Sequence, residues 1–312
     1  MKDFLVSILM LAYGHEKFIS KAIESVLMQK TNFSYQLIIG EDFSIDNTRE
    51  IVGKYAVKYP DKIRAIFNHE NIGMIANAIQ VYKACTGKYI AILEGDDHWT
   101  DPLKLQKQVD FLERNREYSI CFHYVDVIDE NNNLLQKHGE VRRNIYTQKD
   151  IFLDNKTETR TCSMLFRKES ISEVLPEWLN KVSAFDRFWK LLCLENGNGY
   201  VLKESMAYYR KHPGGVWSTL TYNKLKEKKD NDLRIMIEKF GKKYPDQIRY
   251  AKIKHDLDFV LYYSKKNQSK KAWKIFLLSS LYPPLYLNNK RRHIKIFLIL
   301  IMRSFKGFMN RL

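Results

Sequence analysis

A chain of 312 residues can bury one large core, or one domain with a helical appendage, and its 45% apolar and 13% aromatic content excludes a disordered polypeptide. The net charge of +16 would point to nucleic acid if it were spread evenly, but residues 1–120 carry 15 Lys+Arg against 16 Asp+Glu, residues 121–240 carry 20 against 17, and residues 241–312 carry 17 against 3. The basic tail therefore points to a partner for the tail, while the near-neutral first two-thirds does something else.

The first 125 residues alternate short apolar runs with longer amphipathic ones. The runs predict strands at Phe4–Leu11, Tyr35–Ile39, Ile63–Phe67, Tyr89–Leu93 and Ser119–Tyr124, with helices at 16–29, 46–58, 73–84 and 102–115 between them. Continuous Val/Ile/Leu runs, rather than apolar–polar alternation, mean that both faces of the sheet are covered. The opening apolar run lacks a charged leader and a small-residue cleavage site, so it reads as a buried strand and not a signal peptide. Beyond residue 125 the pattern thins. Asp129–Asn133 is a turn, 136–160 a polar loop region, Ser163–Arg167 a strand, 186–196 a helix closed by Asn196-Gly197-Asn198-Gly199, and Tyr200–Leu202 another strand. From Leu220 the pattern is helical, broken at Tyr244-Pro245 and Pro283-Pro284. No stretch reaches the ~18–20 apolar residues of a spanning helix. Cys85, Cys121, Cys162 and Cys193 form no C-x-x-C pair and read as reduced, buried thiols of a cytosolic protein.

Strand–helix alternation predicts an α/β fold with a mostly parallel sheet and helices on both sides. Ligands of such sheets bind beyond the carboxyl ends of the strands. Four clusters fall there: Ala12-Tyr13-Gly14-His15, Gly40 to Thr48, Asn68 to Gly73, and Glu94-Gly95-Asp96-Asp97-His98-Trp99. Three carboxylates within four residues repel one another unless positive charge sits among them. A hard divalent cation, Mn²⁺ or Mg²⁺, is the simplest source, and Mg²⁺ typically also binds phosphate oxygens. Capping does not explain the acids, because Thr100 or Asp101 caps the next helix, with Pro102 at its first position. Asp46 reads as the cap of the 47–58 helix. Asp42 can accept hydrogen bonds from a base edge or a ribose.

Taken together, Val6 to Glu16, Ile38 to Thr48, Asn71-Ile72-Gly73 with Asn77, and Gly87 to Asp97 resemble the family 2 glycosyltransferases of the GT-A fold, in order and over about residues 3–115. The likeness resumes at Phe185-Asp186-Arg187-Phe188-Trp189-Lys190-Leu191-Leu192 and at Met206 to Ser218. Glu41, Phe43 and Glu94 depart from the commoner Asp, Gly and Asp.

The resemblance implies a GT-A domain over 1–219, with a nucleotide-binding half at 1–125 and an acceptor-binding half at 126–219, followed by a basic helical extension at 220–312. It implies a metal-dependent, inverting transfer of a sugar from a nucleoside-diphosphate sugar, UDP-linked, to a glycan or lipid-linked acceptor. It makes Asp186 the catalytic base and sets Ala12, Tyr13, Glu16, Asp42, Asn71, Gly73, Asn77, Glu94, Gly95 and Asp96 against the donor. Asp96, Asp97 and His212 fall to the metal, and Arg210, His212 and Trp217 to a diphosphate and acceptor loop. Residues 290–309, apolar at the centre and basic at the edges, suit a helix lying in a membrane interface on the cytoplasmic side. Two rivals remain: a nucleic-acid binder using the basic third, against which its aromatics lie within apolar helical patterns, and a nucleotidyltransferase using the same acidic loop. Neither G-x-x-x-x-G-K-[ST] nor G-x-G-x-x-G is present.

Overall fold

A computed structural model describes residues 3–138, 144–153, 159–215, 220–266 and 268–280. Trp217, Pro283-Pro284 and the 290–309 segment lie outside these described residues. The chain divides into two compact units, Met1–Ile151 with Asn155–Leu225, and Phe152–Asp154 with Lys226–Leu312.

The first unit holds, in chain order, β1 (Val6–Ala12), α1 (Ile19–Leu27), β2 (Tyr35–Glu41), α2 (Thr48–Lys58), β3 (Ile63–Phe67), α3 (Met74–Ala84), β4 (Tyr89–Glu94), β5 (His98–Trp99), α4 (Lys104–Arg114), β6 (Tyr118–Ile128), β7 (Leu134–Gln136), β8 (Ile145–Tyr146), α5 (Gln148–Leu153, its end in the second unit), β9 (Leu165–Arg167), α6 (Phe185–Cys193) and β10 (Asn198–Arg210). One sheet runs in the order β3-β2-β1-β4-β9-β6-β10-β5. The half β3-β2-β1-β4 is parallel throughout. Its two sides are both covered. Val6, Ile8 and Met10 share a core with Ile23 of α1, Val52 of α2 and Leu105 of α4, whereas a Cβ at Gly40 would strike Asn77 and Val81 of α3. Successive strand residues point to opposite faces, so α3 lies on the other side of the sheet. The order reverses between β1 and β4, which opens a crevice at their carboxyl ends.

The second half of the sheet is mixed. β9 is antiparallel to β4 and β6, and β5 to β10, while β10 is parallel to β6. Two expectations need correction here, and one short element went unpredicted. β10 runs from Asn198 to Arg210, well beyond the expected Tyr200–Leu202, so Arg210, assigned to a loop, is the last residue of a strand. It hides from an apolar-run reading because Lys203-Glu204 is exposed and the register shifts between Leu202 and Ala207. The 136–160 stretch is not all loop, because Tyr146, Ile151 and Phe152 bury themselves and anchor β8 and α5. The two-residue β5 carries too little sequence for any period to register.

The second unit comprises most of α7 (Tyr222–Phe240), α8 (Pro245–Lys265) and α9 (Ser269–Ser280). Pro245 opens α8 at its first turn, where its missing N–H is not needed. Ile253, Leu257 and Val260 of α8 pack with Ala272 and Phe276 of α9.

Candidate active site

Four loops meet at the β1–β4 crevice. Gly95 N–H donates to Leu11 O at 2.9 Å, which joins the β4 exit to β1. A Cβ at Gly95 would stand 2.7 Å from His15 Nδ1 and 2.8 Å from Ile19 Cδ1, so only glycine lets His15 tuck beneath the loop. The resulting pocket is lined by Glu94, Asp96, Asp97, Thr161, Asp186 and His212, among others. Residues 94–97 from the β4 exit, Asp186 from α6 and His212 from the β10 exit therefore converge across more than a hundred residues of chain.

Asp96 faces His212, whose Nε2 donates to Asp96 Oδ2 at 3.0 Å. Phe18 packs edge-on against the imidazole with centroids 5.0 Å apart. Burial pushes Asp96 up, but the neighbouring His15 and His212 outweigh it and hold the carboxyl below its usual range. Glu94 is pushed up to about 8 by burial and by the Asp96 charge. Asp97 is raised well above the usual carboxylate range by burial, then by Asp96 and Glu94. Glu94 Oε2 and Asp97 Oδ2 are buried without a hydrogen-bond partner. Crowded anions with orphaned oxygens are the environment a cation relieves, and carboxylate oxygens are the donors a hard divalent cation takes. The residues fit such an ion. Among the described residues no three His, Cys, Asp or Glu side chains already form a ligand cluster, so a bound ion would complete its shell with water or phosphate oxygens.

Asp186 sits in the first turn of α6, where the helix N-terminus favours negative charge. The N-cap residue is Ala184, which makes no side-chain cap bond, and Asp186 takes a backbone hydrogen bond from Arg187. Its Oδ2 accepts from Lys190 Nζ at 2.8 Å. Burial alone would raise the Asp186 carboxyl, yet the Lys190 charge and hydrogen bond hold it below the usual range.

Several residues assigned to the donor or diphosphate have other duties. Asn77 is 1% exposed, and its Nδ2 donates to Gly40 O at 2.9 Å. It pins α3 to β2. The Arg210 guanidinium is turned to the β6–β7 connection, donating to Asp129 O, Glu130 O and Asn132 Oδ1 as well as Asp96 O. It organises the loop from a position that also lines the pocket. Asp97 Oδ1 accepts from Arg210 N at 2.7 Å, so one of its oxygens anchors β10. Asp42 is buried and accepts from Asn68 Nδ2, Ile72 N and Gly73 N, each at 2.9 Å. With about four lone-pair sites on a carboxylate, little of it is left for a base. Glu16 accepts from Asn47 N and Nδ2 at 3.1 Å, and Asn71 Oδ1 from Gly73 N at 3.1 Å. Ala12 O accepts from Asp42 N, and Tyr13 is half-exposed on the next loop.

Sequence reasoning missed Thr161 as a lining residue and Lys190 as the partner of Asp186. The second was legible: an acid and a lysine four apart on one helix are neighbours. Thr161 carried no signal, because a lone threonine in a polar stretch has no pattern.

A parallel α/β half with an acidic crevice at its switch point defines a nucleotide-binding class of fold. Residues 7–175 match the family described as Glycosyl transferase family 2, and the chain belongs to that family. It is 36% identical over 215 residues to the uncharacterized protein Rv1520 of Mycobacterium tuberculosis, covering 68% of this chain and 60% of that protein. The chain thus spans about three-fifths of the length of its mycobacterial relatives. Among solved structures, S. aureus TarS 1-349 in complex with UDP-GlcNAc superposes with a TM-score of 0.60 at 16% identity, over 97% of this chain and 81% of that one. The mannosyltransferase PcManGT from Pyrobaculum calidifontis, in complex with GDP-Man and Mn²⁺, gives 0.57 at 12% identity, over 100% and 90%. The α/β fold expected from the sequence is the fold observed.

Proposed function

We propose that the protein is an inverting glycosyltransferase that moves a sugar from a nucleoside-diphosphate sugar to an acceptor hydroxyl, with Asp186 as base. The observation that carries this reading is the meeting of Asp186 with Glu94, Asp96 and His212 around one pocket. Family membership and two solved neighbours holding UDP-GlcNAc and GDP-Man support a sugar-nucleotide donor. Asp96 and His212 are the residues that would hold Mn²⁺ or Mg²⁺, with Asp97 behind them. When bound, the ion supplies Lewis-acid neutralisation of charge on the departing diphosphate.

The chain's own residues do the rest. Asp186 accepts the acceptor hydroxyl proton as the acceptor oxygen bonds to the anomeric carbon and the bond from that carbon to the diphosphate oxygen breaks. A positioned base of this kind is worth on the order of 10²–10⁴ in rate. One displacement inverts the anomeric configuration, through an oxocarbenium-like transition state. The basic tail supports a lipid-linked acceptor and a peripheral place on the cytoplasmic face of a membrane, at about 1 kcal/mol for each Lys or Arg near an anionic surface.

A panel of UDP- and GDP-linked sugars with Mn²⁺, run with soluble acceptors and with lipid-linked acceptors in anionic vesicles, tests this. Nucleoside diphosphate release with sugar transfer, faster on vesicles at low salt, is the expected result. Release of pyrophosphate would instead identify a nucleotidyltransferase. Nucleic-acid binding that survives loss of Asp96, with no transfer on any donor, would favour the basic third as the functional surface.

A further inference from the structure

Lys190 is out of place in its helix. Its neighbours Phe188, Trp189, Leu191, Leu192 and Cys193 are all buried, and Lys190 is buried with them. An ammonium in such a setting is worth less to stability than a well-packed apolar side chain of similar volume, because the desolvation penalty rivals the Coulombic gain. Its position is nonetheless fully specified. Nζ donates to Asp186 Oδ2 at 2.8 Å and to Thr159 O at 3.0 Å. Thr159 begins the short segment leading to Thr161, which lines the pocket beside Glu94. Lys190 therefore ties the candidate base to the segment that leads to a second lining residue, Thr161.

We propose that Lys190 is the positioning residue of the transfer reaction: it clamps Asp186 Oδ2, so that Asp186 Oδ1 is the oxygen that takes the acceptor proton. This rests on the glycosyltransferase reading above. The clamp fixes the carboxylate rotamer at the moment the acceptor O–H bond breaks. It also sets a positive charge against Asp186 in a pocket where Glu94 stands across from it and Arg187 follows it on α6. Without that charge, burial and the facing Glu94 favour the protonated acid, which cannot accept a proton. A side-chain hydrogen bond that fixes one carboxylate oxygen sets the direction in which the other faces the pocket, and geometry precedes proton affinity in such catalysis.

The test compares wild type, Lys190→Met and Lys190→Arg by steady-state kinetics across pH, with thermal unfolding as a control. Lys190→Met is expected to lower kcat about a hundredfold, leave the donor KM within about twofold, and move the acidic limb of kcat to higher pH. Lys190→Arg, which keeps charge and donors, is expected to recover most of kcat and restore the limb. Wild-type kcat and an unmoved limb in Lys190→Met would overturn the proposal, as would kcat and donor binding falling together with Tm, the mark of a packing role. Should wild type transfer no sugar at all, the functional reading fails separately. Selective ¹³C-carboxyl labelling then decides the pair, since an Asp186 titration unmoved by Lys190→Met contradicts the clamp and an upward move upholds it.

Discussion

Phe43 holds a backbone conformation, φ 59°, that L side chains other than Asn and Asp rarely adopt. The loop around it leaves no choice: Glu41 Oε1 accepts from Ser44 N at 2.7 Å, and Ser44 Oγ accepts from Gly14 N at 3.1 Å. The Arg49 guanidinium stands 5.9 Å from the ring centroid and pairs with Glu41 at 2.9 Å. Strain of this kind is of order 1–3 kcal/mol, and a glycine gives back about 0.5–1 kcal/mol in entropy. Phe43→Gly is therefore expected to stabilise the protein by about 1 kcal/mol, a Tm rise of about 2–4 °C by scanning calorimetry. A fall in Tm would mean that the contact with Arg49 outweighs the strain. The sequence marks Phe43 as the odd residue of its loop, since glycine is commoner there, but a sequence does not display φ.

The parallel half of the sheet was legible because β1, β2, β3 and β4 are continuous apolar runs separated by amphipathic helices, and their ends carry the acidic and Gly-Asn clusters. Asp186, named by the resemblance, and Asp96, named as one of a crowd of carboxylates, line one pocket. What failed to show were duties set by distant partners. Asn77 was set against the donor by the resemblance alone, and its bond to Gly40 O, thirty-seven residues earlier, was invisible in the sequence. A Cβ at Gly40 would stand 2.2 Å from Asn77 Oδ1, so the two residues make one joint between β2 and α3. Arg210 looked like an anion binder for want of any sequence sign of the carbonyls it serves. Asn77→Ala strips Gly40 O of its side-chain donor at a buried site, a loss of about 1–3 kcal/mol. Urea unfolding should show that loss with nucleoside diphosphate affinity unchanged. A tenfold weaker affinity with stability untouched would return Asn77 to the donor site.

At the scale of the molecule the charge partition and the division of the chain concern different tasks. The near-neutral part builds the sheet and its crevice, and the excess of Lys and Arg gathers beyond residue 240, in the second unit. No helix among the described residues is long and apolar enough to cross a membrane. On the reading proposed above, Asp96 and His212 hold a diphosphate and a cation together in the crevice. Titration calorimetry of UDP and GDP, with and without Mn²⁺, into wild type and Asp96→Asn tests that directly. The expected result is binding to wild type that tightens at least about tenfold when Mn²⁺ is present and an Asp96→Asn protein that has lost the response. Equal affinities for both proteins, with or without the cation, would contradict it.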